Sequence, residues 1–321
     1  MSNQLTDYRK ISVALIATVF NEKNNIAAFL ESYKHQSIKA QEFIIVDAFS
    51  SDGTGSVIKK FSRANPDLKI KFFKKKCNRS LGRNFAVSQT QAKYLAFTDA
   101  GCVLDQFWLQ ELLKTLVISQ SKVVGGFFQG IANSRLQEAI VPYFLQLNKN
   151  VNVKNFVPTT RSLLVEKKLF QALGGLNEKL ELSEDYQLML KIKKEKIPIA
   201  FAKKAVVYWY PPSNFQAFLQ KIAAFAQSDI MAGIIRPKVL LIFLRYLVFL
   251  ILFFEFNLVY FFLFLILYII WSIDKNKHNC PNSWYYLPIL QISSDLVIMG
   301  ASLLALPQFG SRKNQNATLK T

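Results

Sequence analysis

The sequence contains little cysteine and histidine. Among its 321 residues there are three cysteines and two histidines. Cys77, Cys102 and Cys280 are odd in number and show no pairing pattern, which argues against a disulfide scaffold and favours a reducing compartment. No metal-ligand cluster forms around them. The polar segment Met1–Lys10 also lacks the apolar core of a signal peptide, so we expect the first domain to remain in the cytoplasm.

Acidic residues are scarce as well. The chain has 21 Asp and Glu against 40 Lys and Arg, a net charge of +19. Ten basic residues lie between Lys59 and Arg83, where Asp67 is the single acid. Such a stretch suits nucleic acid, an anionic membrane surface or a phosphate-bearing substrate. Because no nucleic-acid-binding signature accompanies it and apolar segments follow, we favour the anionic membrane and expect no nucleic-acid partner.

Apolar residues make up 51% of the chain and are unevenly distributed. Residues 1–235 have the mixed composition of a globular domain, whereas 236–309 are dominated by Leu, Ile, Phe, Val and Tyr. The composition therefore predicts a soluble domain over 1–235, a membrane module over 236–309 and a polar tail over 310–321.

The predicted membrane module holds three apolar segments. Residues 239–273 are too long for one span and are interrupted midway, so they predict a hairpin that turns at Glu255–Asn257. A third segment covers 285–306 and contains Asp295. A charge inside a membrane is costly and usually functional, but Asp295 could instead snorkel or pair with Arg245, so its role stays open. The basic loop after the hairpin favours a cytoplasmic loop, in an inner or plasma membrane with the first domain on the same side.

Short apolar runs alternate with helical patterns in the first half of the chain. Residues 12–19 predict a buried strand, with Asn21 as the cap of the helix that follows. Further strands are predicted at 43–46, 69–73 and 94–98. This alternation predicts an α/β fold with a mostly parallel sheet covered on both faces.

Later elements of the first domain are predicted with less regular spacing. Strands are expected over 123–128, 161–165 and 205–210. Helices are expected over 84–91, 136–147 and 183–194.

Two carboxylates occupy positions where a ligand is expected. Asp47 and Asp99 follow the second and fourth predicted strands. In parallel sheets, ligands bind beyond the carboxyl ends of the strands, so both residues are candidates on geometric grounds alone.

Several short motifs resemble one enzyme family. They are Ala14–Glu22, Ile44–Thr54, Phe97–Gly101, Gly174–Glu178 and Ser183–Asp185. In this order they resemble the family 2 glycosyltransferases, over about residues 12–195. The resemblance implies the Rossmann-like GT-A fold and transfer of a sugar from a nucleotide-sugar donor.

The resemblance also implies a donor site. Thr18 and Glu22 match positions that cradle the nucleoside, and Asp47 matches the acid that contacts it. Arg83 matches the basic residue that faces the nucleotide. Asp99 matches the first acid of the family's Asp-x-Asp motif and implies a Mg²⁺ or Mn²⁺ ion, although Gly101 stands where the second acid is expected.

The last motif implies the catalytic base. In an inverting transferase a carboxylate takes the proton of the acceptor hydroxyl. The resemblance assigns this role to Asp185, with Glu184 as its neighbour in the substrate site.

The acceptor remains open at this stage. The favoured function is transfer to a lipid-linked or membrane-proximal acceptor in the synthesis of a surface glycan or glycolipid. The alternatives are transfer to polyprenyl phosphate itself and a catalytically silent membrane scaffold. A processive synthase is disfavoured because its Gln-x-x-Arg-Trp signature is absent.

Overall fold

The computed structural model describes residues 7–145, 156–180, 182–255 and 258–318. The chain divides into two compact units. The first contains residues 1–130 and 148–210, and the second contains residues 131–147 and 211–321.

One eight-stranded sheet forms the centre of the first unit. Its strands are β1 Val13–Val19, β2 Glu42–Asp47, β3 Ile70–Lys74, β4 Tyr94–Thr98, β5 Cys102–Leu104, β6 Val123–Gly130, β7 Ser162–Glu166 and β8 Ile199–Trp209. They are arranged in the order β3-β2-β1-β4-β7-β6-β8-β5. The pairs β1–β2, β2–β3, β1–β4 and β6–β8 are parallel, and the pairs that involve β7 or β5 are antiparallel. The predicted α/β fold with a mostly parallel sheet is therefore confirmed.

The helices are numbered along the chain. They are α1 Lys23–Lys34, α2 Thr54–Ala64, α3 Arg79–Ser88, α4 Trp108–Ser119, α5 Arg135–Phe144, α6 Lys167–Ala172, α7 Glu184–Lys194, α8 Phe215–Met231, α9 Pro237–Glu255, α10 Leu258–Asp274 and α11 Leu287–Thr318. Helices α1–α4, α6 and α7 belong to the first unit, and the others belong to the second.

The strands of this sheet are apolar along their length because both faces of the sheet are buried. Ile16, Ile44 and Phe97, on three neighbouring strands, are completely buried and share one core cluster with Leu188 and Met189 of α7. Strands buried in this way read as unbroken apolar runs, which is why they are visible in the sequence.

Two local predictions were wrong. Asn21 does not cap α1: it adopts a left-handed conformation with φ of 52°, and Glu22 takes the cap position. Helix α3 begins at Arg79 rather than at residue 84, because the side chain of Asn78 accepts a hydrogen bond from the Leu81 N–H at 2.9 Å. This earlier start makes Arg83 a helical residue.

Within the described residues of the second unit, three helices are long and apolar enough to cross a membrane, over Pro237–Glu255, Leu258–Asn279 and Trp284–Pro307. Phe249 packs on Phe264 and Phe253 packs on Phe261, so α9 and α10 run antiparallel, as a hairpin requires. Part of the predicted turn, residues 256–257, lies outside the described residues.

Helices α5 and α8 pack against the start of α11 in this unit. Ile140, Phe218 and Leu287 share its apolar core. The unit thus includes α8, which lies before the compositional boundary at residue 235. Separate folding of residues 1–235 stays a prediction.

A buried charge network joins the three apolar helices. Asp295 of α11 is almost fully buried, and its Oδ2 lies 3.2 Å from Nη2 of Arg245 on α9. Tyr268 of α10 donates to the same oxygen at 2.7 Å, and Gln291 donates to Oδ1 at 2.9 Å. Among the alternatives that the sequence left open for Asp295, the structure shows the pairing with Arg245, which offsets the cost of a buried charge.

This network generates a stability prediction. The substitution Asp295→Ala leaves the Arg245 guanidinium without its carboxylate, and we expect a loss of about 1–3 kcal/mol. Thermal unfolding of the full chain in detergent measures the effect. The double substitution Arg245→Met, Asp295→Leu removes both charges and should recover stability relative to Asp295→Ala. An equal or larger loss in the double variant would contradict the pairing.

Candidate active site

The site lies at the edge of the sheet where three neighbouring parallel strands end. Asp47 is the last residue of β2, and Asp99 follows β4 directly. Parallel strands direct their carboxyl ends to the same edge, so both acids, with the end of β1 between them, face one region. Thr18 lies within β1, inside the strand predicted over residues 12–19, and pairs with Val46.

Hydrogen bonds tie together the loops after β1 and β2. The N–H of Glu22 donates to Thr54 Oγ1, and the N–H of Lys23 donates to Asp52 Oδ2, both at 2.9 Å. In the opposite direction, Asn21 Oδ1 accepts from the N–H of Ser51 at 3.0 Å. The two loops therefore form one rigid wall of the site.

Asp47 is completely buried at the base of this wall. Its Oδ1 accepts from the N–H of Ser50 at 2.8 Å. Its Oδ2 is buried and has no hydrogen-bond partner among the described residues. An unpaired buried acceptor is costly unless a ligand satisfies it, so Asp47 can accept a donor group of a bound molecule.

The central contact of the site is the buried guanidinium of Arg83. Its Nη2 donates to Asp99 Oδ1 at 2.6 Å and its Nη1 donates to Glu184 Oε1 at 2.7 Å. Arg83 and Glu184 are only 1% and 3% exposed. Both terminal nitrogens thus bind carboxylates, which joins α3, the end of β4 and the start of α7.

A turn with two glycines brings α7 to this contact. Gly174 and Gly175 have φ of 79° and 64°, a conformation that side chains disfavour. The side chain of Asn84 on α3 holds the turn: it donates to the Leu176 carbonyl at 2.8 Å and accepts from the Leu176 N–H at 3.0 Å. The predicted Gly-Gly motif therefore acts by fixing the approach of α7 to α3.

Sequence reasoning missed Arg161. Its Nε donates to Asp99 Oδ2 at 3.3 Å. Its guanidinium lies over the rings of Phe128 and Trp209, 5.2 and 5.0 Å from their centres. These aromatic contacts fix the orientation of the guanidinium. The sequence carries no local signal for this role, since Arg161 meets its partners only through the pairing of β7 and β8 with the other strands.

Arg79 is a second basic residue that the sequence analysis did not assign. It lies in the first turn of α3, and desolvation, which lowers its pKa, is outweighed by four carboxylates that raise it. These carboxylates are Asp99, Glu184, Asp185 and Glu22. Four of the predicted site residues therefore act electrostatically on this one guanidinium.

The arginines also set the charge of Asp99. Desolvation by itself would raise the pKa of this carboxyl, but Arg83, Arg161 and Arg79 hold it well below its ordinary value. Asp99 is therefore ionised at every physiological pH. At Glu184 burial has the larger effect, so its pKa is raised despite the attraction of Arg83, which lowers it.

Asp185 lies beside Glu184 in the first turn of α7. It is partly exposed, and its Oδ1 accepts from the N–H of Tyr186 at 2.7 Å. Of the two neighbouring acids, Glu184 is therefore buried in the ion pair, while Asp185 remains accessible to a substrate.

Two predicted residues have packing contacts in the site. The methyl carbon of Thr18 lies 2.8 Å from where a Cβ at Gly82 would stand, so α3 approaches β1 closely. The carboxylate of Glu22 lies against Gly101, with Oε1 3.2 Å from where a Cβ of residue 101 would stand.

The donor set fits a hard divalent cation. No group of three His, Cys, Asp or Glu side chains forms within the described part of the chain. Each oxygen of Asp99 already accepts from an arginine and keeps a further lone pair, and the carboxylate of Glu22 lies beside Gly101. Mg²⁺ typically uses one or two carboxylates together with substrate phosphates. These residues are therefore compatible with the ion that the sequence implied.

The role of Arg83 gives a stability prediction. The substitution Arg83→Met leaves Asp99 and Glu184 without their shared partner, and we expect the free energy of unfolding to fall by about 3–5 kcal/mol. Chemical denaturation of the full chain in detergent provides the measurement. The exposed Arg63 of α2 is the control: Arg63→Met should change stability by less than about 0.5 kcal/mol. Equal losses in both variants would contradict a central position for Arg83.

Comparison with known proteins agrees with this geometry. The family model for glycosyl transferase family 2 matches residues 14–173. Glycosyltransferase AglE of Haloferax volcanii is 25% identical over 217 residues, which cover 65% of this chain and 70% of AglE. Cholesterol galactosyltransferase of Borreliella burgdorferi is 25% identical over 164 residues, 51% of this chain and 42% of that protein.

A solved structure extends the likeness of fold. The mannosyltransferase PcManGT from Pyrobaculum calidifontis, in complex with GDP-Man and Mn²⁺, superposes with a TM-score of 0.54. The match covers 95% of this chain and 75% of PcManGT at 15% sequence identity. At this identity the likeness concerns the fold, which is GT-A.

The matched region contains Glu22, Asp47, Arg83, Asp99 and Arg161, the residues that line the carboxyl edge of the sheet. The fold, the family model and the curated relatives agree. The chain belongs to the family 2 glycosyltransferases.

Proposed function

We propose that this glycosyltransferase moves a hexose, with inversion, from a nucleotide-sugar donor to a lipid-linked or membrane-proximal acceptor in surface glycan or glycolipid synthesis. The observation that carries the proposal is the contact of Arg83 with Asp99 and Glu184. It joins the donor edge of the sheet to the helix that bears Asp185.

Asp47 and the wall of joined loops suit the nucleoside. The free Oδ2 of Asp47 can accept from an N–H of the base or an O–H of the ribose. Glu22 belongs to this wall and Thr18 lies near the end of β1, which leads into it; their contacts with the nucleoside stay predictions.

Arg161 and Arg79 suit the diphosphate. A guanidinium binds phosphate oxygens through paired N–H groups, and the rings of Phe128 and Trp209 hold that of Arg161 in one orientation. Both terminal nitrogens of Arg83 already bind carboxylates, so Arg83 fits a positioning role and its contact with the nucleotide stays a prediction.

Asp185 fits the catalytic base. As the acceptor oxygen bonds to the anomeric carbon, its proton passes to the Asp185 carboxylate. The bond from the anomeric carbon to the diphosphate breaks, and the nucleoside diphosphate leaves with the electron pair. This single displacement inverts the anomeric centre and needs no glycosyl–enzyme intermediate.

A bound Mg²⁺ or Mn²⁺ would neutralise charge on the leaving diphosphate. Asp99 is the residue we assign to hold it. The Mn²⁺ in the complex of PcManGT supports use of a divalent ion in this fold.

The proposal of a membrane acceptor is supported by the second unit. Its three long apolar helices and the basic stretch from Lys59 to Arg83 suit an anionic membrane, and the charge of Lys275 and Lys277 supports a cytoplasmic catalytic unit. The cholesterol galactosyltransferase among the relatives supports an acceptor embedded in the membrane.

Donor and acceptor can be identified together. The full chain in detergent is supplied with a panel of nucleotide sugars and with membrane lipid extracts, and products are detected by mass spectrometry. We expect a glycosylated lipid from one donor class. Polyprenyl phosphate in place of a glycolipid would shift the acceptor assignment, and the absence of any product would favour a silent scaffold.

The assignment of Asp185 predicts a selective loss. Asp185→Asn should lower kcat by about 10²–10⁴-fold because the acceptor proton loses its carboxylate. Donor binding, measured by calorimetry, should be retained. Asp67→Asn on the surface is the control and should leave both quantities unchanged. Full turnover by Asp185→Asn would remove its proposed role.

The assignment of Arg161 predicts weaker diphosphate binding. Arg161→Lys keeps the charge but loses the planar fork, so binding of a nucleoside diphosphate should weaken at least about tenfold. Binding of the corresponding nucleoside should be almost unaffected, because its contacts lie near Asp47. A uniform loss for both ligands, or no loss, would contradict a phosphate contact.

A further inference from the structure

The carboxylate of Glu22 lies beside Gly101, where the sequence lacks the second acid of the Asp-x-Asp motif. Gly101 stands at the position of a second acid after Asp99, and the space beside its Cα is occupied. A Cβ built on Gly101 would meet Glu22 Oε1 at 3.2 Å and Oε2 at 3.3 Å. The carboxylate of Glu22, from the β1–α1 loop, thus reaches the region into which a side chain at 101 would project.

Glu22 is held in this position by its own loop. Its N–H donates to Thr54 Oγ1 at 2.9 Å, and its Oε2 accepts from Asn25 Nδ2 at 2.8 Å. Its Oε1 accepts no hydrogen bond from any described residue, so this oxygen is available beside Gly101. A Cβ at residue 101 would lie 3.2–3.4 Å from this carboxylate, so Glu22 would have to shift by a few tenths of an ångström to admit it.

The arginines and carboxylates near Asp99 carry no excess of positive charge. Arg79, Arg83 and Arg161 carry three positive charges, and Asp99, Glu184, Asp185 and Glu22 carry four negative ones, so these seven groups have a net charge of −1, to which the buried Asp47 adds a further negative charge. Protonation of Glu184 would bring the charge of the seven groups only to zero. In either protonation state these groups carry no excess positive charge that could attract a diphosphate. One bound divalent cation would supply it.

We propose that Glu22 replaces the missing acid at position 101 and, together with Asp99, binds the divalent cation. This inference rests on the proposed function, since the donor's diphosphate completes the coordination. It gives Glu22 a role different from the nucleoside contact that the family resemblance implies. It also explains how Gly101 is compatible with a cation site: two hard oxygen ligands remain, one of them supplied by a different loop.

Manganese binding tests the inference without reference to turnover. Free Mn²⁺ is measured by electron paramagnetic resonance during titration of the full chain in detergent with a nucleoside diphosphate present. Glu22→Gln keeps the size of the side chain and its contact with Asn25, and should weaken Mn²⁺ binding at least about tenfold. Glu31→Gln, an exposed acid on the same helix, should bind Mn²⁺ like the unaltered chain.

A second variant restores the acid at its alternative position. Glu22→Gln combined with Gly101→Asp places a carboxylate next to Asp99 again and should recover most of the lost affinity. Gly101→Asp alone should not increase the affinity, because the new side chain competes with Glu22 for the same space. Failure of the double variant to recover affinity while its melting temperature is unchanged would overturn the exchange of ligands.

Chemical labelling tests the unaltered chain and does not depend on how variants fold. Mn²⁺ with nucleoside diphosphate should protect Glu22 from carbodiimide modification, while Glu31 stays reactive. Equal labelling of Glu22 with and without Mn²⁺, or unchanged Mn²⁺ affinity in Glu22→Gln, would overturn the inference.

The two proposals can fail separately. Sugar transfer that persists in EDTA, with Mn²⁺ affinity independent of Glu22, would overturn the cation site and leave the transferase function intact. Mn²⁺ binding that depends on Glu22, in a chain that transfers no sugar from any donor, would support the cation site and contradict the proposed function.

Discussion

The first unit depends on one buried ion pair network around Arg83. A guanidinium this deeply buried is tolerated only because two carboxylates satisfy its terminal nitrogens. Those carboxylates come from different elements: Asp99 from the end of β4 and Glu184 from the start of α7. The network therefore ties α3 to the end of β4 and to the start of α7. The accessible carboxylate of Asp185 lies in the same turn as Glu184.

The network also orders the groups around it. Arg161 bonds the second oxygen of Asp99 and stacks on two aromatic rings, so a single carboxylate orients two guanidinium groups. Asn84 of α3 also holds the Gly-Gly turn that precedes α7, through two hydrogen bonds to the backbone of Leu176. The result is an arrangement of charges that exists before any ligand binds. Preorganised charges of this kind are the main source of catalytic stabilisation in water-excluded sites.

Much of this arrangement could be predicted from the sequence because its signals are local. Strands such as β2 and β4 are apolar on both faces, and the acids at their ends, Asp47 and Asp99, mark the ligand edge. The start of α3 was misplaced because a single side chain, that of Asn78, decides it. Asn21 was misread as a cap, since its side chain is used instead by the neighbouring loop.

Contacts between distant residues could not be predicted. Arg161 reaches Asp99 only because β7 enters the sheet antiparallel beside β4, a topology that no local pattern shows. The approach of Glu22 to Gly101 is likewise a property of two loops from different strands. Glu184, in contrast, was found in the sequence, but its burial against Arg83 and the accessibility of Asp185 needed coordinates.

The central claim is that the carboxyl edge of this sheet binds a nucleotide donor between Asp47 and Asp99. An experimental structure of the full chain with a bound nucleoside diphosphate tests this most directly. The account predicts the nucleoside next to Asp47 and the diphosphate between Asp99 and Arg161, within reach of Asp185. A nucleotide bound at any other surface, with this edge empty, would contradict it.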